Sequence, residues 1–336
     1  LALALLIVLP ALHGLFVLRR PQDSGRPVTL ALLQGNVDPF EKWEVGSTDR
    51  NVALYEAMSR DAAAGNPDLI VWPETAMPFF LGSEPRYLRR LHNFIDSLQI
   101  PLLTGGLDYQ FTDDTSYSYY NAAFLIEPGS RFLTSYRKMR LVPGSERIPF
   151  RDYFPFNYLK EWLSDLELGV GDYTPGEEFT VFSVRPAQGG ADAPPVLLST
   201  PICFESVFPD LIRRFAGNGA GMLCIITNDA WFGRTSAPFQ HTRFAVFRAI
   251  ENRLPVARCA NTGISCFIDP CGRVTQSTPL FKQAAITGRI TLQSKRTLYT
   301  RFGDWLAHSC ALIAAAGLIG AGILHLRSGK KHAQAR

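Results

Sequence analysis

The sequence predicts an α/β sandwich, a fold in which helices cover packed β-sheets. Short apolar runs alternate along the chain with stretches of helical spacing, which is typical of α/β proteins. A predicted hairpin, formed by residues 119–126 and 131–138 around a Pro-Gly turn, adds antiparallel pairing. The chain has 336 residues, of which 46% are hydrophobic and 19% charged, so it is long and apolar enough for a large core and a membrane segment.

The elements follow one another at short intervals from residue 28 onward. Residues 49–64 have Val52, Tyr55 and Met58 on one helical face, and residues 68–72 form an apolar run that ends in Pro73. The predicted helices are 49–64, 86–98, 209–217 and 240–253. The predicted strands are 28–36, 68–72, 101–109, 119–126, 131–138, 179–184, 196–200, 222–227, 255–259, 264–268 and 285–292.

The segment 141–176 is long, irregular and rich in aromatic residues. Its aromatic cluster consists of Phe150, Tyr153, Phe154, Phe156, Tyr158 and Trp162. Long loops without secondary structure often form lids, and exposed aromatic rings suit a membrane interface. The alternative is that these rings pack on their own domain.

Both ends of the chain are apolar. We predict that residues 1–20 are the end of a transmembrane helix cut at its start, with a buried core helix as the alternative. Residues 306–326 are long enough to span a membrane, and the tail 327–336 is basic. Positive charge favours the cytoplasmic side, so we expect a cytoplasmic C-terminus and a domain, residues 27–300, on the opposite side. Arg19 and Arg20, which follow the first apolar segment, weaken that orientation.

Charge and cysteine content exclude some classes of function. The net charge is only +4, and no basic block lies outside the C-terminal tail, so we expect no nucleic-acid partner. The six cysteines include no C-x-x-C pair and no histidines at zinc spacing, so we expect neither a metal site nor a cofactor.

Three chemically useful residues stand just after predicted strands, namely Glu74, Lys138 and Cys203. Thiol acyl transfer needs a thiolate, a base that takes its proton and a positive group that stabilises the oxyanion. Each residue has an ordinary alternative: a helix-capping carboxylate, a solvated charge and a small buried thiol. The three together favour a nucleophilic cysteine.

The sequence around these residues resembles the nitrilase superfamily, whose members have a Glu-Lys-Cys triad on an αββα sandwich. Within that superfamily it is most similar to the apolipoprotein N-acyltransferase family, a group of membrane enzymes that complete bacterial lipoproteins. The similar segments are 32–36, 72–76, 138–143, 202–205, 228–233, 240–241, 248–251, 261–263 and 301–305. This chain departs from the family in having Gly144-Ser145 before Glu146 and in having Phe204 after the cysteine. The family carries several N-terminal membrane helices, and we expect residues 1–20 to be the tail of one of them.

The resemblance implies a nitrilase-like αββα sandwich with flanking transmembrane helices. It implies that Glu74 is the general base, Cys203 the nucleophile and Lys138 the oxyanion stabiliser. Supporting roles are implied for four further residues. These are Glu146 and Glu205 near the thiol, and Phe204 and Trp231 along the acyl or lipoprotein path.

The implied reaction has two steps. Cys203 takes an acyl chain from a phospholipid as a thioester, and the N-terminal amine of a diacylglyceryl-cysteine apolipoprotein then takes the acyl group. The implied partners are this donor, this acceptor and the lipid bilayer of the bacterial inner membrane, and segment 141–176 would be a lid beside Cys203. A membrane-anchored amidase is the main alternative, and a non-catalytic binding protein is a third class.

Overall fold

The computed structural model describes residues 2–19, 25–44, 46–112, 116–147, 172–188 and 193–334. Within this part of the chain, thirteen strands form two sheets. The strands are β1 Pro27–Gln34, β2 Leu69–Val71, β3 Met77–Phe80, β4 Leu102–Phe111, β5 Tyr117–Ile126, β6 Thr134–Arg137, β7 Phe182–Val184, β8 Val196–Ser199, β9 Met222–Thr227, β10 Val256–Ala260, β11 Cys266–Ile268, β12 Val274–Ser277 and β13 Ala284–Thr291.

The helices lie between and beyond these strands. They are α1 Ala2–Arg19, α2 Ser47–Ala63, α3 Pro85–Leu98, α4 Pro209–Gly217, α5 Ala237–Asn252, α6 Leu298–Phe302 and α7 Trp305–Gln334. Short 3₁₀ turns occupy Glu41–Trp43, Leu81–Ser83, Cys203–Val207 and Asp229–Phe232. Most predicted elements are present with shifts of a few residues at their ends. The aromatic cluster predicted at 150–162 lies outside the described residues.

Each sheet has parallel strands at its centre. The first sheet runs β13-β1-β2-β4-β5-β6, with β3 also paired to β4, and the second runs β12-β11-β10-β9-β8-β7. Strands β1, β2 and β4 are mutually parallel, as are β8, β9 and β10. The predicted hairpin is β5–β6, in which Ala122 lies opposite Arg137. Because β6 runs in the same direction as β2, both strands end at the same edge of the first sheet.

Alternation along the strands explains the layered packing. In β1, Val28, Leu30 and Leu32 belong to the core that the two sheets share, while Ala31 and Leu33 pack with the helices α2 and α3. Successive strand residues point to opposite faces, so one buried strand supplies two hydrophobic layers. The result is the αββα sandwich that the resemblance implies, with α4 and α5 packed on the second sheet.

Two strands were absent from the sequence-based prediction. β3 is only four residues long and contains Pro78, and proline lacks the N–H that a ladder requires. β12 is exposed at all four positions and has no buried face, so its sequence shows no apolar alternation.

One helical segment of the described chain, Trp305–Ile323 in α7, is long and apolar enough to cross a membrane. Its apolar side chains are exposed, for example Leu312, Ile313 and Leu318. The apolar part of α1, Ile7–Arg19, is shorter than a span, so a membrane role for it stays a prediction.

Substitution of Leu30 tests whether the core between the two sheets stabilises the fold. The Leu30 side chain is fully buried between the sheets, so Leu30→Ala should lower the free energy of unfolding by about 2–5 kcal/mol. Val274→Ala in the exposed edge strand β12 is the control and should change it by less than about 0.5 kcal/mol. Denaturant unfolding in detergent measures both, and equal losses would contradict this account of the core.

Candidate active site

The structure places the three predicted residues together at one edge of the sandwich. Glu74 follows β2, Lys138 follows β6 and Cys203 follows β8. The Lys138 ammonium donates to the Glu74 carboxylate over 3.2 Å, and the Cys203 thiol interacts electrostatically with both groups. The two sheets therefore contribute different parts of one site, with the charged pair on the first sheet and the thiol on the second.

Glu74 is buried and held at both carboxylate oxygens. Oε1 accepts from Asn121 Nδ2 at 2.8 Å as well as from Lys138, and Oε2 accepts from the backbone N–H of Asn228 at 2.8 Å. Gly105 of β4 packs directly against the backbone of residues 73–75, where a Cβ would collide with main-chain atoms. The absence of a side chain at Gly105 thus lets the Glu74 loop approach the sheet.

Lys138 is shared by two carboxylates. Its ammonium, with a side chain only 1% exposed, also donates to Glu146 Oε1 at 2.8 Å. Burial lowers the pKa of Lys138, but Glu74 and Glu146 outweigh burial and hold that pKa well above its usual value. Glu146 is itself fixed by Asn121 Nδ2 and by the backbone N–H of Val142. Lys138 therefore stays charged, and its position is determined by two anchored carboxylates.

Cys203 begins the 3₁₀ turn that follows β8 after three residues, and it has a positive φ of 52°. This left-handed conformation is uncommon for a residue with a side chain, and such strain clusters at functional sites. Burial and the negative charge of Glu74 raise the pKa of the Cys203 thiol, and Lys138 and a hydrogen bond with Thr227 offset this only in part. The resting residue is therefore a neutral thiol, which would have to lose its proton in order to act as a nucleophile.

Glu205 connects the cysteine turn to the lysine segment. Its fully buried carboxylate accepts from the Ile202 N–H at 2.7 Å through Oε2 and from three donors through Oε1. Those donors are Tyr136 OH at 2.7 Å, Met139 N at 2.7 Å and Arg140 N at 3.1 Å. Burial raises the pKa of Glu205, although its hydrogen bonds oppose that rise. Glu205 thus links the backbone just after Lys138 to the backbone just before Cys203.

Phe204 and Trp231, the two aromatic residues predicted to line the acyl or lipoprotein path, differ in their surroundings. Phe204 packs edge-on against Phe208, with ring centroids 5.1 Å apart. Trp231 is 60% exposed and packs edge-on against the exposed Phe40, with centroids 5.5 Å apart. Their role along an acyl path stays a prediction.

Sequence reasoning missed Asn121 and the backbone N–H of Asn228. Asn121 bridges Glu74 and Glu146 from the middle of β5. An amide directly before the apolar run Ala122-Ala123-Phe124-Leu125-Ile126 of the same strand was a usable signal, because buried polar groups require partners. The contact of Asn228 is made by its main chain, which no side-chain motif reveals.

The chain matches the model of the carbon-nitrogen hydrolase family over residues 29–299, which is most of its length. It therefore belongs to the carbon-nitrogen hydrolase family. Its fold is also similar to solved structures of the yeast Nit3 protein from Saccharomyces cerevisiae and of an amidase from Nesterenkonia sp.. The TM-score is 0.56 for each, with 17% and 18% sequence identity. The alignments cover 81% of this chain and 92% of Nit3, and 84% of this chain and 95% of the amidase.

The curated proteins with similar sequences carry a name that is more specific than the carbon-nitrogen hydrolase family. The chain is 38% identical to an apolipoprotein N-acyltransferase of Geobacter metallireducens over 95% of its own length and 58% of the relative. It is 35% identical to one of Chlorobaculum tepidum, over 92% of this chain and 60% of the relative. These matches confirm the resemblance drawn from the motifs. The chain spans about three fifths of the length of these relatives.

The raised pKa of Cys203 predicts an unusual pH profile for its alkylation. Since the thiolate is the reactive form, the alkylation rate should rise about tenfold per pH unit from about pH 7 to pH 10 without a plateau. A short peptide with one cysteine, the control, should level off above about pH 8.5. Peptide mass spectrometry after iodoacetamide treatment measures both, and a plateau for Cys203 below pH 8 would show a thiolate at rest.

Glu205→Gln tests the link between the two segments. The amide group places an N–H where a buried carboxylate oxygen accepts, so unfolding should become easier by about 1–3 kcal/mol. Glu84→Gln, at an exposed position before α3, is the control and should be near neutral. Denaturant unfolding decides the matter, since equal stability of both variants would remove Glu205 from this role.

Proposed function

We propose that this chain carries the catalytic domain of an apolipoprotein N-acyltransferase. In this function Cys203 accepts a fatty acyl chain from a phospholipid and passes it to the N-terminal amine of a diacylglyceryl-cysteine apolipoprotein. The observation that carries the proposal is the buried Glu74–Lys138 pair beside the Cys203 thiol, in a chain whose curated relatives have that name. Phospholipid, apolipoprotein and bilayer are the proposed partners.

The first step forms a thioester. Cys203 Sγ attacks the ester carbonyl of the phospholipid while Glu74 takes the thiol proton, which matches a site where the thiol is neutral at rest. Lys138, which stays protonated between its carboxylates, stabilises the oxyanion of the tetrahedral intermediate. The carbon–oxygen ester bond then breaks, and the departing lysophospholipid oxygen receives the proton from Glu74.

The second step regenerates the thiol. The N-terminal amine of the acceptor attacks the thioester carbonyl, an amide bond forms, and the carbon–sulfur bond breaks. Glu74 takes the proton that the amine loses, and that proton returns to Cys203. Water would complete a hydrolysis instead, so acyl transfer requires a site that excludes water while the amine enters. The burial of Glu74, Lys138 and Glu205 supports this requirement.

The membrane setting is part of the proposal. The apolar segment of α7 begins at Trp305 and is separated by only two residues from the end of α6, which would hold the domain close to a bilayer. Basic residues follow it, namely Arg327, Lys330, Lys331 and Arg336. The proposed arrangement is therefore a bacterial inner-membrane protein with a cytoplasmic C-terminus and a catalytic domain on the outer side. The lid prediction for segment 141–176 remains a prediction, because residues 148–171 lie outside the described part.

The amidase reading depends on the distant fold neighbours alone. Their 17–18% identity reports a shared fold and leaves the reaction open. The two readings differ in the acceptor that resolves the thioester, which is an amine for the transferase and water for the amidase.

A tagged acyl chain tests the proposal. Vesicles of a phospholipid with an alkyne-tagged acyl chain should label Cys203 through a hydroxylamine-sensitive bond. A diacylglyceryl-cysteine peptide should then remove the tag as an amide. Cys203→Ser should abolish labelling, because a hydroxyl is a far weaker nucleophile than a thiol. Cys271→Ser, the same change at a half-buried thiol elsewhere, is the control.

Mass spectrometry of the labelled protein and of the peptide separates the outcomes. Label on Cys203 that only water removes would favour the amidase. Label that persists in Cys203→Ser would place the nucleophile elsewhere, and no label on the wild-type protein would overturn the proposal.

A further inference from the structure

A buried polar cluster lies directly behind the cysteine turn and is separate from Glu74 and Lys138. It consists of Ser206, Asp229, His241 and Arg258, all at most 4% exposed. His241 Nδ1 lies 2.9 Å from Asp229 Oδ1, and Arg258 Nη2 donates to Asp229 Oδ2 at 2.8 Å. The catalytic scheme above uses none of these four side chains, although their burial is costly unless they are well paired.

The cluster is anchored by an ion pair inside the second sheet. Arg258 of β10 is fully buried and also donates from Nη1 to the Ile264 carbonyl at 2.7 Å. Burial raises the pKa of Asp229, but Arg258 and His241 outweigh that effect and hold this pKa well below its usual range. Gly263 packs against the Asp229 carboxylate, where a methyl group would collide. Asp229 is thus a fixed negative group beside the imidazole.

The other side of His241 faces the nucleophile's own backbone. His241 Nε2 lies 3.1 Å from the carbonyl oxygen of Cys203, and the Ser206 hydroxyl donates to the same oxygen at 2.8 Å. A carbonyl oxygen only accepts, so a hydrogen bond at this contact needs a proton on Nε2. The Ser206 hydroxyl oxygen also lies 3.1 Å from Nε2. The two donors meet at the one non-glycine residue of the turn whose φ is positive. The hydrogen bonds therefore act where the backbone is strained.

We propose that His241 is a positioning residue for Cys203. It holds the Cys203 carbonyl, keeps the residue in its left-handed conformation and so directs the thiol toward Glu74 and Lys138. Asp229 and Arg258 fix the orientation of the imidazole, as a carboxylate orients a histidine in other polar networks. The inference rests on Cys203 being the nucleophile of the proposed function, and it is independent of the lipid substrates.

The competing explanation is that His241, which belongs to α5, only fills space between that helix and the second sheet. The ring of Phe232 packs edge-on against it, with centroids 5.8 Å apart, so a purely apolar role is physically reasonable. The two explanations predict opposite orders for the acylation rates of two variants, His241→Phe and His241→Gln. Phenylalanine keeps an aromatic ring but donates no hydrogen bond, whereas glutamine loses the ring and keeps an N–H that can reach the carbonyl.

The experiment follows acylation of the full chain, in detergent micelles, by p-nitrophenyl butyrate. This small activated ester acylates a nucleophilic thiol without a lipid surface, and release of p-nitrophenolate gives the rate at each ester concentration. His241→Phe should lower the limiting acylation rate by about 100-fold and leave the half-saturating concentration nearly unchanged, since misplacement of a nucleophile affects the reaction step. His241→Gln should retain the rate to within about tenfold.

His92→Phe is the matched control. His92 is 5% exposed on α3, so the same substitution is made at an equally buried histidine that has no contact with the cysteine turn. It should leave the acylation rate unchanged. A rate for His241→Phe equal to or above that of His241→Gln would overturn the positioning role and leave only packing.

Ser206→Ala provides a second test that removes only one oxygen atom and should not prevent folding. Because Ser206 and His241 donate to the same carbonyl, the loss caused by Ser206→Ala should be larger in a variant that donates nothing than in His241→Gln, which keeps a donor. The variant without a donor is His241→Phe, or His241→Met in the event that His241→Phe fails to fold. An equal loss in both backgrounds would contradict the proposal.

Failure of this inference is distinguishable from failure of the proposed function. A wild-type protein that reacts with the ester but takes no acyl chain from phospholipid would refute the proposed function. The relative acylation rates of the His241 variants would still test the positioning role. If the wild-type protein takes acyl chains from phospholipid, but His241→Phe reacts with the ester as fast as His241→Gln or faster, only the positioning role is refuted. A wild-type protein that reacts with neither donor would refute both, because Cys203 would then not be a nucleophile.

Discussion

The site depends on one interaction, in which two carboxylates share the buried ammonium of Lys138. Glu74 and Glu146 carry two negative charges in a region with little solvent, and each needs compensation. Lys138 supplies a positive charge, Asn121 donates to both carboxylates, and backbone N–H groups satisfy the remaining oxygens. The two carboxylates keep the lysine protonated, while burial and the charge of Glu74 raise the pKa of the nearby Cys203 thiol and keep it neutral. Base-assisted attack starts from such a resting state.

This arrangement exists only when the two sheets are packed together. Glu74 belongs to the first sheet but receives a hydrogen bond from Asn228, which follows β9 of the second sheet. Glu205 follows β8 of the second sheet but accepts from Tyr136, Met139 and Arg140 of the first. The apolar core between the sheets and these hydrogen bonds therefore hold the same two layers together.

The sequence predicted most of the fold because buried strands and amphipathic helices leave periodic patterns. It also singled out Glu74, Lys138 and Cys203 by type and by their places after buried strands. The structure brings these three residues together, and their catalytic roles stay a proposal. It did not predict β12, which has no buried face, or the linking role of Asn121. The contact between His241 and the Cys203 carbonyl was also beyond reach, because 38 residues separate them and the acceptor is a main-chain atom.

The most direct test of the shared ammonium is the stability of Lys138→Met alone and together with Glu74→Gln. Denaturant unfolding of the full chain in detergent gives the free energies. We expect Lys138→Met to lower the free energy of unfolding by about 3–5 kcal/mol, because two carboxylates lose their buried counter-charge. Adding Glu74→Gln should recover part of that loss, since Glu146 keeps its bonds to Asn121 and Val142. If the two losses simply add, Lys138 does not hold the site together by charge.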